Sequence, residues 1–352
     1  MKVLAINSSP RPDGQSKTAL LLERLVKGMR DAGADVEVVD LRRKKIILCT
    51  GCYSCWTKTP GICIHKDDMT EELFDKWMDS DLAVYATPLY HYTLNAAMKA
   101  FIERTIPMAE PFLVREGGTT HHPLRGRRPP DAVVLSVCGF PEMEHFEQLS
   151  AYCRRLFGQQ LLAEIYRPGA EILTHAGAKR QPTLEAVETA GRELIESGGV
   201  SPGTHEAIAR DIIDPGLLVE MANMMWRTCI AEGITPREFD EKGLIPKAET
   251  LDEFVTMMRY VFYPDGALGE DVVLQFDFTG AVEGPCQLKI TDGTLETAIG
   301  TPHEASIIIR TPFELWADIM AGNEDPAQMF MEQKVTAVGD FEILARFASW
   351  FS

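Results

Sequence analysis

Apolar and polar residues alternate along the first 170 residues in a pattern typical of strands and helices that follow one another. Short apolar runs predict strands of the kind that a parallel sheet buries on both faces. The predicted strands are Lys2–Asn7, Asp35–Asp40, Leu82–Thr87, Ala132–Val137 and Leu161–Arg167. Helical periodicity predicts connecting helices at Ser16–Gly33, Leu94–Arg104 and Glu142–Phe157. The pattern therefore predicts an α/β doubly wound sheet, in which ligands bind beyond the carboxyl ends of the strands.

The pattern changes after a charged stretch at Asp240–Lys247 with little periodicity. Half-buried strands are predicted at Asp271–Thr279, Cys286–Ile290, Ala305–Arg310 and Lys334–Val338. Helices are predicted from Thr250, from Thr311-Pro312 and at Phe341–Phe351, and Asp292-Gly293 predicts a hairpin turn. We therefore expect two domains, residues 1–240 and a smaller α+β domain at residues 248–352.

The charge of the chain limits its partners. The 352 residues include 52 acidic and 35 basic side chains, which give a net charge of −17. Such a surface repels phosphate backbones and anionic lipids, so nucleic acid is not expected as a partner. No apolar run approaches the roughly 18 residues of a membrane span, and no secretory signal is recognisable at the first residues. We expect a cytoplasmic protein.

Four of the eight cysteines form a compact cluster with the spacing C-x2-C-x2-C-x7-C: Cys49, Cys52, Cys55 and Cys63. Thiolates at this spacing are typical of a 4Fe-4S cluster. Free thiols and a zinc ion are the alternatives, although structural zinc usually takes two cysteine pairs separated by a longer loop. The other four cysteines, Cys138, Cys153, Cys229 and Cys286, are scattered, and we expect most of them to be small core residues.

The loop after the first predicted strand has the composition of an anion-binding site. Residues 7–18 offer hydroxyl groups, an arginine and the free amides of a helix start, and a phosphate there would meet donors and the positive end of the helix dipole. Neither G-x-G-x-x-G nor G-x-x-x-x-G-K-[ST] is present, which argues against a dinucleotide or a nucleoside triphosphate. A single phosphate monoester is the expected ligand.

These residues resemble those of a known family. The stretch Ser9-Pro10-Arg11-x-x-Gly14-Gln15-Ser16 is similar to the phosphate loop of flavodoxin-like NAD(P)H-dependent FMN reductases, and Thr87-Pro88-Leu89-Tyr90-His91 is similar to their ring-binding loop. Together with Cys49–Cys63, the resemblance is closest to iron–sulfur flavoproteins. It implies a flavodoxin-like sheet of strand order 2-1-3-4-5, FMN as cofactor, and a homo-oligomer in which a neighbouring subunit completes each site.

The resemblance also implies a set of site residues. The FMN phosphate would be held by Ser9, Arg11, Gln15, Ser16 and Thr18. The flavin ring would be lined by Pro88, Leu89, Tyr90 and His91, and its other edge closed by Cys138, Gly139 and Phe140. No catalytic acid or base is assigned, and Tyr90 and His91 are the nearest candidates. Thr93 and Asn95 depart from the Gly, Pro or Ser of many relatives, which leaves the floor of the pocket open.

The C-terminal segment resembles a sterol carrier protein type 2 domain. The resemblance lies in the strand pair around Phe276–Phe278 and Gln287–Ile290, the helix after Pro312, and Lys334–Asp340 with the closing helix. It implies an apolar tunnel for lipids or acyl groups. Candidate lining residues, which serve equally as the core of a small domain, are Phe313, Trp316, Ile319, Met329, Phe330 and Met331.

The leading hypothesis is an FMN-dependent oxidoreductase that accepts electrons from NAD(P)H or a low-potential carrier and passes them through flavin and cluster to a small molecule or protein. The alternative is a lipid- or acyl-binding sensor whose flavin domain is regulatory. A third version lies between them, in which the C-terminal domain delivers an apolar substrate to the flavin.

Overall fold

The computed structural model describes residues 1–12 and 14–351, which form two compact units. Unit 1 comprises Met1–Ile212 and unit 2 comprises Ile213–Ser352. Each unit has its own buried apolar core.

Unit 1 alternates strands and helices. Its strands are β1 (Lys2–Asn7), β2 (Asp35–Asp40), β3 (Leu82–Pro88), β4 (Val114–Glu116), β5 (Thr119–His121), β6 (Asp131–Val137) and β7 (Leu161–Arg167). Its helices are α1 (Lys17–Asp31), α2 (Phe74–Met78), α3 (Ala96–Glu103), α4 (Glu147–Phe157), α5 (Gln181–Ser197) and α6 (Pro202–Ala209). A π-helical turn, Met69–Leu73, leads directly into α2.

Five of these strands form one parallel sheet of order β2-β1-β3-β6-β7. This is the predicted order 2-1-3-4-5, because β4 and β5 pair only with each other. The doubly wound, flavodoxin-like fold is therefore confirmed. The chain winds in opposite directions from β1 and from β3, so a ligand-binding crevice is expected where the carboxyl ends of these two neighbours meet.

Helices cover both faces of the sheet, as a wholly parallel sheet requires. On one face α1 packs against α5, and two glycines allow their backbones to meet. A Cβ atom on Gly28 would lie 1.8 Å from the carbonyl oxygen of Glu188, and one on Gly191 would lie 2.1 Å from that of Leu25. The other face is packed by side chains that include Trp77, Met98 and Phe101.

The β4–β5 hairpin between α3 and β6 was not predicted. Its strands are three residues each and exposed, and they lack the apolar alternation that would have revealed them.

Unit 2 contains helices before, within and after a second sheet. Its helices are α7 (Pro215–Glu232), α8 (Pro236–Glu241), α9 (Leu251–Val261), α10 (Phe313–Met320), α11 (Pro326–Met331) and α12 (Glu342–Trp350). Its strands are β8 (Asp271–Thr279), β9 (Gly284–Thr291), β10 (Thr294–Ile299), β11 (Ile307–Pro312) and β12 (Thr336–Gly339). The sheet order is β10-β9-β8-β11-β12, with only β8 and β11 parallel. A separate, smaller α+β domain is therefore confirmed.

Local sequence signals in unit 2 had mixed outcomes. The hairpin turn between β9 and β10 is confirmed, since Asp292 and Gly293 both have positive φ, 44° and 74°. The helix expected to open with Thr311 as its cap begins instead at Phe313, because Thr311 and Pro312 pair with β8 as the last residues of β11. Pairing in the sheet thus prevailed over the local capping pattern.

The boundary between the units lies before α7. Met221 and Met224 on α7 belong to the apolar core of unit 2, with Phe254 and Met258 of α9. The division of the chain into functional domains at residues 1–240 and 248–352 stays a prediction. No helix among the described residues has the length and apolar character that crossing a membrane would need.

Candidate functional site

The loop between β1 and α1 is preorganised by hydrogen bonds of its own side chains. Ser8 and Ser9 are buried, and the amide of Ser9 donates to the side-chain oxygen of Asn7 at 3.0 Å. Ser16 is the N-cap of α1 and accepts from the amide of Ala19 at 3.0 Å. Thr18 is buried in the first turn, whereas Arg11 is exposed and Gln15 half-buried. The loop therefore presents an arginine and a capped helix N-terminus, a combination that favours an anion.

The loop after β3 forms a strained turn that contains the predicted ring-binding residue His91 and its neighbour Tyr92. His91 and Tyr92 both have positive φ, 46° and 65°, which side chains rarely adopt. Two hydrogen bonds between Tyr90 and Thr93, both 3.1 Å, close this turn. Tyr90, His91 and Tyr92 are exposed, whereas Pro88 is buried and Leu89 is half-buried. Strain of this kind is characteristic of ligand-binding loops.

Asn95 joins this loop to the loop after β1. Its side-chain NH2 donates to the carbonyl oxygen of Ser8 at 2.6 Å, and its side-chain oxygen accepts from the amide of Met98 as the N-cap of α3. From the sequence, Asn95 was noted only because many relatives have Gly, Pro or Ser in this part of the loop. The structure shows that it forms the buried tie between the two loops that neighbour the crevice.

The third predicted loop, after β6, lies beside the second. The amide of Leu89 donates to the carbonyl oxygen of Val137 at 2.9 Å, since β3 and β6 are paired. The imidazole of His145 packs on Phe140 at 4.4 Å and on Tyr92 at 5.9 Å, centroid to centroid. An aromatic cluster of exposed Tyr92, exposed Phe140 and half-buried His145 thus spans the two loops.

Cys138 and Gly139 complete the third loop. Cys138 is buried, and burial raises the pKa of its thiol to about 11, so the thiol is protonated at neutral pH. Gly139 is exposed and lies near Glu171, which also contacts Arg11 in the loop after β1. The candidate residues of the three loops therefore meet along one edge of the sheet.

The four clustered cysteines line a single pocket. Cys49, Cys52, Cys55 and Cys63 surround it together with His65, Arg104, Ile106 and Pro107. The loop follows the carboxyl end of β2 and contacts the segment after α3, where the indole NH of Trp56 donates to the carbonyl oxygen of Ile106. Compact spacing in sequence has thus brought all four thiols to one place.

The thiols of the pocket differ in their surroundings. Hydrogen bonds from the side chain and backbone of Ser54 lower the pKa of exposed Cys52. Burial, followed by the charges of the neighbouring cysteines, raises the pKa of Cys55. The described residues contain no disulfide.

A buried ion pair forms one wall of this pocket. Asp67 and Arg104 are 0% and 1% exposed, and they pair through two hydrogen bonds of 2.7 and 3.0 Å. Asp67 also accepts from the amide of Ile47 at 2.7 Å, and Arg104 donates to Thr70 at 2.9 Å. Neither residue was predicted to serve this site, because the two lie far apart in the chain and nothing local announces their pairing.

Two buried polar atoms among the residues of this pocket lack a hydrogen-bond partner within residues 1–12 and 14–351. These atoms are Nε2 of His65 and Nε of Arg104, and both residues line the pocket with the four cysteines. In the described part of the chain, no three His, Cys, Asp or Glu side chains are arranged to hold a single metal ion. Thiolates are the groups in this pocket that could ligate a metal centre.

Comparison with known proteins agrees with this architecture. Residues 1–127 match the NADPH-dependent FMN reductase family, and residues 270–352 match the SCP-2 sterol transfer family. An iron–sulfur flavoprotein of Archaeoglobus fulgidus is 35% identical over 143 residues, which are 40% of this chain and 58% of the relative. This chain therefore spans little more than half the length of that protein. Both family resemblances seen in the sequence are confirmed.

Two further similarities concern quinone oxidoreductases. FMN-dependent NADH:quinone oxidoreductase 2 of Pseudomonas aeruginosa is 27% identical over 206 residues, which are 55% of this chain and 96% of that protein. A crystallised NAD(P)H:quinone oxidoreductase from Methanothermobacter marburgensis aligns with 55% of this chain and 96% of its own, at 20% identity and a TM-score of 0.41.

Proposed function

From an NADPH-dependent FMN reductase domain at residues 1–127 and an SCP-2 domain at residues 270–352, we propose that the protein is an FMN-dependent oxidoreductase. The observation that carries the proposal is the meeting of three preorganised loops at the carboxyl ends of β1, β3 and β6. Asn95 fixes the first two loops to each other, so the crevice is formed before a ligand arrives.

The FMN phosphate binds at the first loop, to Arg11, Ser9 and the capped start of α1, with Gln15, Ser16 and Thr18 completing the cradle. The ring lies against Pro88, Leu89, Tyr90 and His91, and Cys138, Gly139 and Phe140 close its far edge. When bound, FMN accepts a hydride and releases electrons singly or in pairs. The residues around it bind and orient it, and none is required as an acid or base.

The proposed electron donor is NAD(P)H, and the proposed acceptor is a flat aromatic molecule such as a quinone. The cluster of Tyr92, Phe140 and His145, in which Tyr92 and Phe140 are exposed, offers aromatic faces for stacking beside the ring site. A neighbouring subunit covers these exposed side chains in the proposed homo-oligomer. A cytoplasmic location accords with eight cysteines that form no disulfide in the described chain.

We further propose that Cys49, Cys52, Cys55 and Cys63 hold a 4Fe-4S cluster. A cluster is held by thiolates and carries one electron at a time, which would connect the flavin to a one-electron partner. Arg104 supports such a site because its guanidinium is fixed by Asp67 and lines the same pocket as the four thiols. Its positive charge offsets the negative charge of the thiolates.

Unit 2 is proposed to bind an apolar ligand. The aromatic core contains Phe254, Phe276, Phe313 and Trp316, and the indole NH groups of Trp316 and Trp350 are buried without a partner among the described residues. These groups could donate to a polar atom of a ligand. The predicted lining residue Met331 is instead 78% exposed. Residues 213–352 contain 24 acidic and 9 basic side chains, so the unit carries most of the net charge and disfavours anionic membranes.

Three experiments test these proposals. Anaerobically purified protein loaded with FMN should lose its flavin absorption on addition of NADH or NADPH and regain it with a quinone. Iron and sulfide analysis of the same sample tests the cluster, and absence of both would remove it while leaving the reductase intact. Solvent extraction and mass spectrometry would reveal a bound lipid; a stoichiometric lipid together with no FMN reduction would favour the lipid sensor.

A further inference from the structure

The carboxylate of Glu171 binds two cations of the phosphate-binding loop. Its Oε1 accepts from Nη1 of Arg11 at 2.9 Å, and its Oε2 lies 2.6 Å from Nζ of Lys17. Lys17 is the first residue of α1, and only 10% of its side chain is exposed. The two basic side chains next to the capped helix start are thus already paired with an anion from within the chain.

Glu171 lies where the first and third loops approach each other. It lies after β7 in a 3-10 turn, Ala170–Thr174. A 2.8 Å hydrogen bond from the amide of Ala170 to the carbonyl oxygen of Cys138 anchors this turn. Its Cγ is 3.6 Å from the position that a Cβ on Gly139 would occupy. The side chain of Glu171 thus reaches from the turn after β7 to Arg11 in the loop after β1.

Glu171 is charged at neutral pH. Burial raises the pKa of its carboxyl, but the hydrogen bond and charge of Lys17 and the charge of Arg11 outweigh burial and bring the pKa below its usual range. The site therefore holds a permanent negative charge at the place where a phosphate would bring another. Two anions cannot share the same two cations without repulsion.

We propose that Glu171 is an internal competitor of the FMN phosphate for Arg11 and Lys17, and that it weakens the binding of phosphorylated flavins selectively. This inference rests on the proposed FMN site. A phosphate group carries more charge and more acceptor oxygens than a carboxylate, so FMN displaces Glu171 but at a cost in affinity. Riboflavin has no phosphate and leaves the pairs intact. Glu171 thus lets bound FMN dissociate more readily, and it reduces the difference in binding affinity between FMN and riboflavin.

The matched test compares Glu171→Gln with Glu185→Gln. Glutamine keeps the size and one acceptor oxygen of Glu171 but removes its charge, and Glu185 is an exposed residue on α5 whose replacement changes the net charge equally. FMN and riboflavin are titrated into each full-length protein at low salt, followed by quenching of flavin fluorescence. Thermal melting and riboflavin binding report whether each variant is folded.

Because the competing ion pairs are partly exposed, E171Q should bind FMN roughly fivefold more tightly than the wild type. Its riboflavin affinity should be unchanged, as should both affinities of E185Q. Unchanged or weaker FMN binding by folded E171Q would overturn the inference, since Glu171 would then be inert or would orient the cations productively. If E171Q does not fold, E171A is held to the same criterion. Failure of the wild type to bind FMN would overturn the proposed function itself.

Discussion

The side-chain NH2 of Asn95 donates a 2.6 Å hydrogen bond to the carbonyl oxygen of Ser8, and this bond joins the start of α3 to the loop after β1. Both residues are buried. The loops belong to β1 and β3, the two strands from which the sheet winds in opposite directions. One side chain thus ties the two loops together at the place where sheets of this topology bind their ligands.

Replacing Asn95 should separate its two roles. N95A removes both the helix cap and the tie to Ser8, and should lower the free energy of unfolding by about 1–3 kcal/mol. N95S can still cap α3 but cannot reach Ser8, so it should be the more stable of the two variants. FMN affinity should fall in both. Urea denaturation and FMN titration measure these effects, and wild-type FMN affinity in folded N95S would show that the tie does not shape the site.

The Asp67–Arg104 pair should stabilise unit 1 in a pH-dependent way. D67N leaves Arg104 charged and buried, and should cost about 3–5 kcal/mol at pH 7. Burial raises the pKa of Asp67, but the hydrogen bonds from Arg104, Ile47 and Thr70 bring it below its ordinary value of 3.8. The ionised carboxylate of Asp67 therefore contributes fully to the free energy of unfolding above pH 3.8. This contribution is lost as the pH falls through the lower pKa that Asp67 has in the folded protein.

Urea denaturation of wild type and D67N between pH 7 and pH 2.5 checks this sign. The difference in the free energy of unfolding between wild type and D67N should be constant down to about pH 4. It should then shrink, because Asp67 of the wild type becomes protonated. A difference that grows on acidification would contradict the assignment.

The contact between α1 and α5 should tolerate no side chain at its glycines. G28A places a methyl group within 1.8 Å of a backbone oxygen, so the helices must separate, at a cost of about 1–3 kcal/mol or more. Gly203 is the matched control, because it lies on α6 with ordinary φ and a methyl group added there would have no atom within 4 Å. G203A should be neutral or slightly stabilising. Equal melting temperatures for G28A and G203A would refute this packing.

The thiols of the cysteine pocket should react unequally when no metal is bound. Cys52 is exposed and its thiol pKa is lowered, whereas Cys55 is buried and its thiol pKa is raised. In chelator-treated protein at pH 7, iodoacetamide should therefore modify Cys52 well before Cys55, since the thiolate is the reactive form. Peptide mapping by mass spectrometry gives the order. Faster labelling of Cys55 would contradict the described surroundings, and buried Cys153 serves as the unreactive control.

The sequence predicted those features that local patterns encode. β7 and β8 have the predicted bounds, Leu161–Arg167 and Asp271–Thr279, because each is a continuous or alternating apolar run with a clear end. The candidate phosphate loop after β1 and the cysteine cluster were recognisable because their residues lie close together in the chain. Each of these features is marked by the types and spacing of residues that are near one another in the sequence.

Features formed by residues distant in sequence were missed. Arg11 and Lys17 meet Glu171, and Asp67 meets Arg104, only because the sheet order brings their loops together. No periodicity or motif marks these pairs. The role of Asn95 was missed for the same reason, since the atom that it binds belongs to Ser8.

Titration of the full-length protein with FMN tests the central claim most directly, with R11Q and S16A as variants of the phosphate-binding loop. The account predicts one FMN bound per chain, a shifted flavin absorption band, and weaker binding in both variants with little change for riboflavin. A wild-type protein that leaves the FMN spectrum and fluorescence unaltered, or variants that bind FMN as the wild type does, would contradict it.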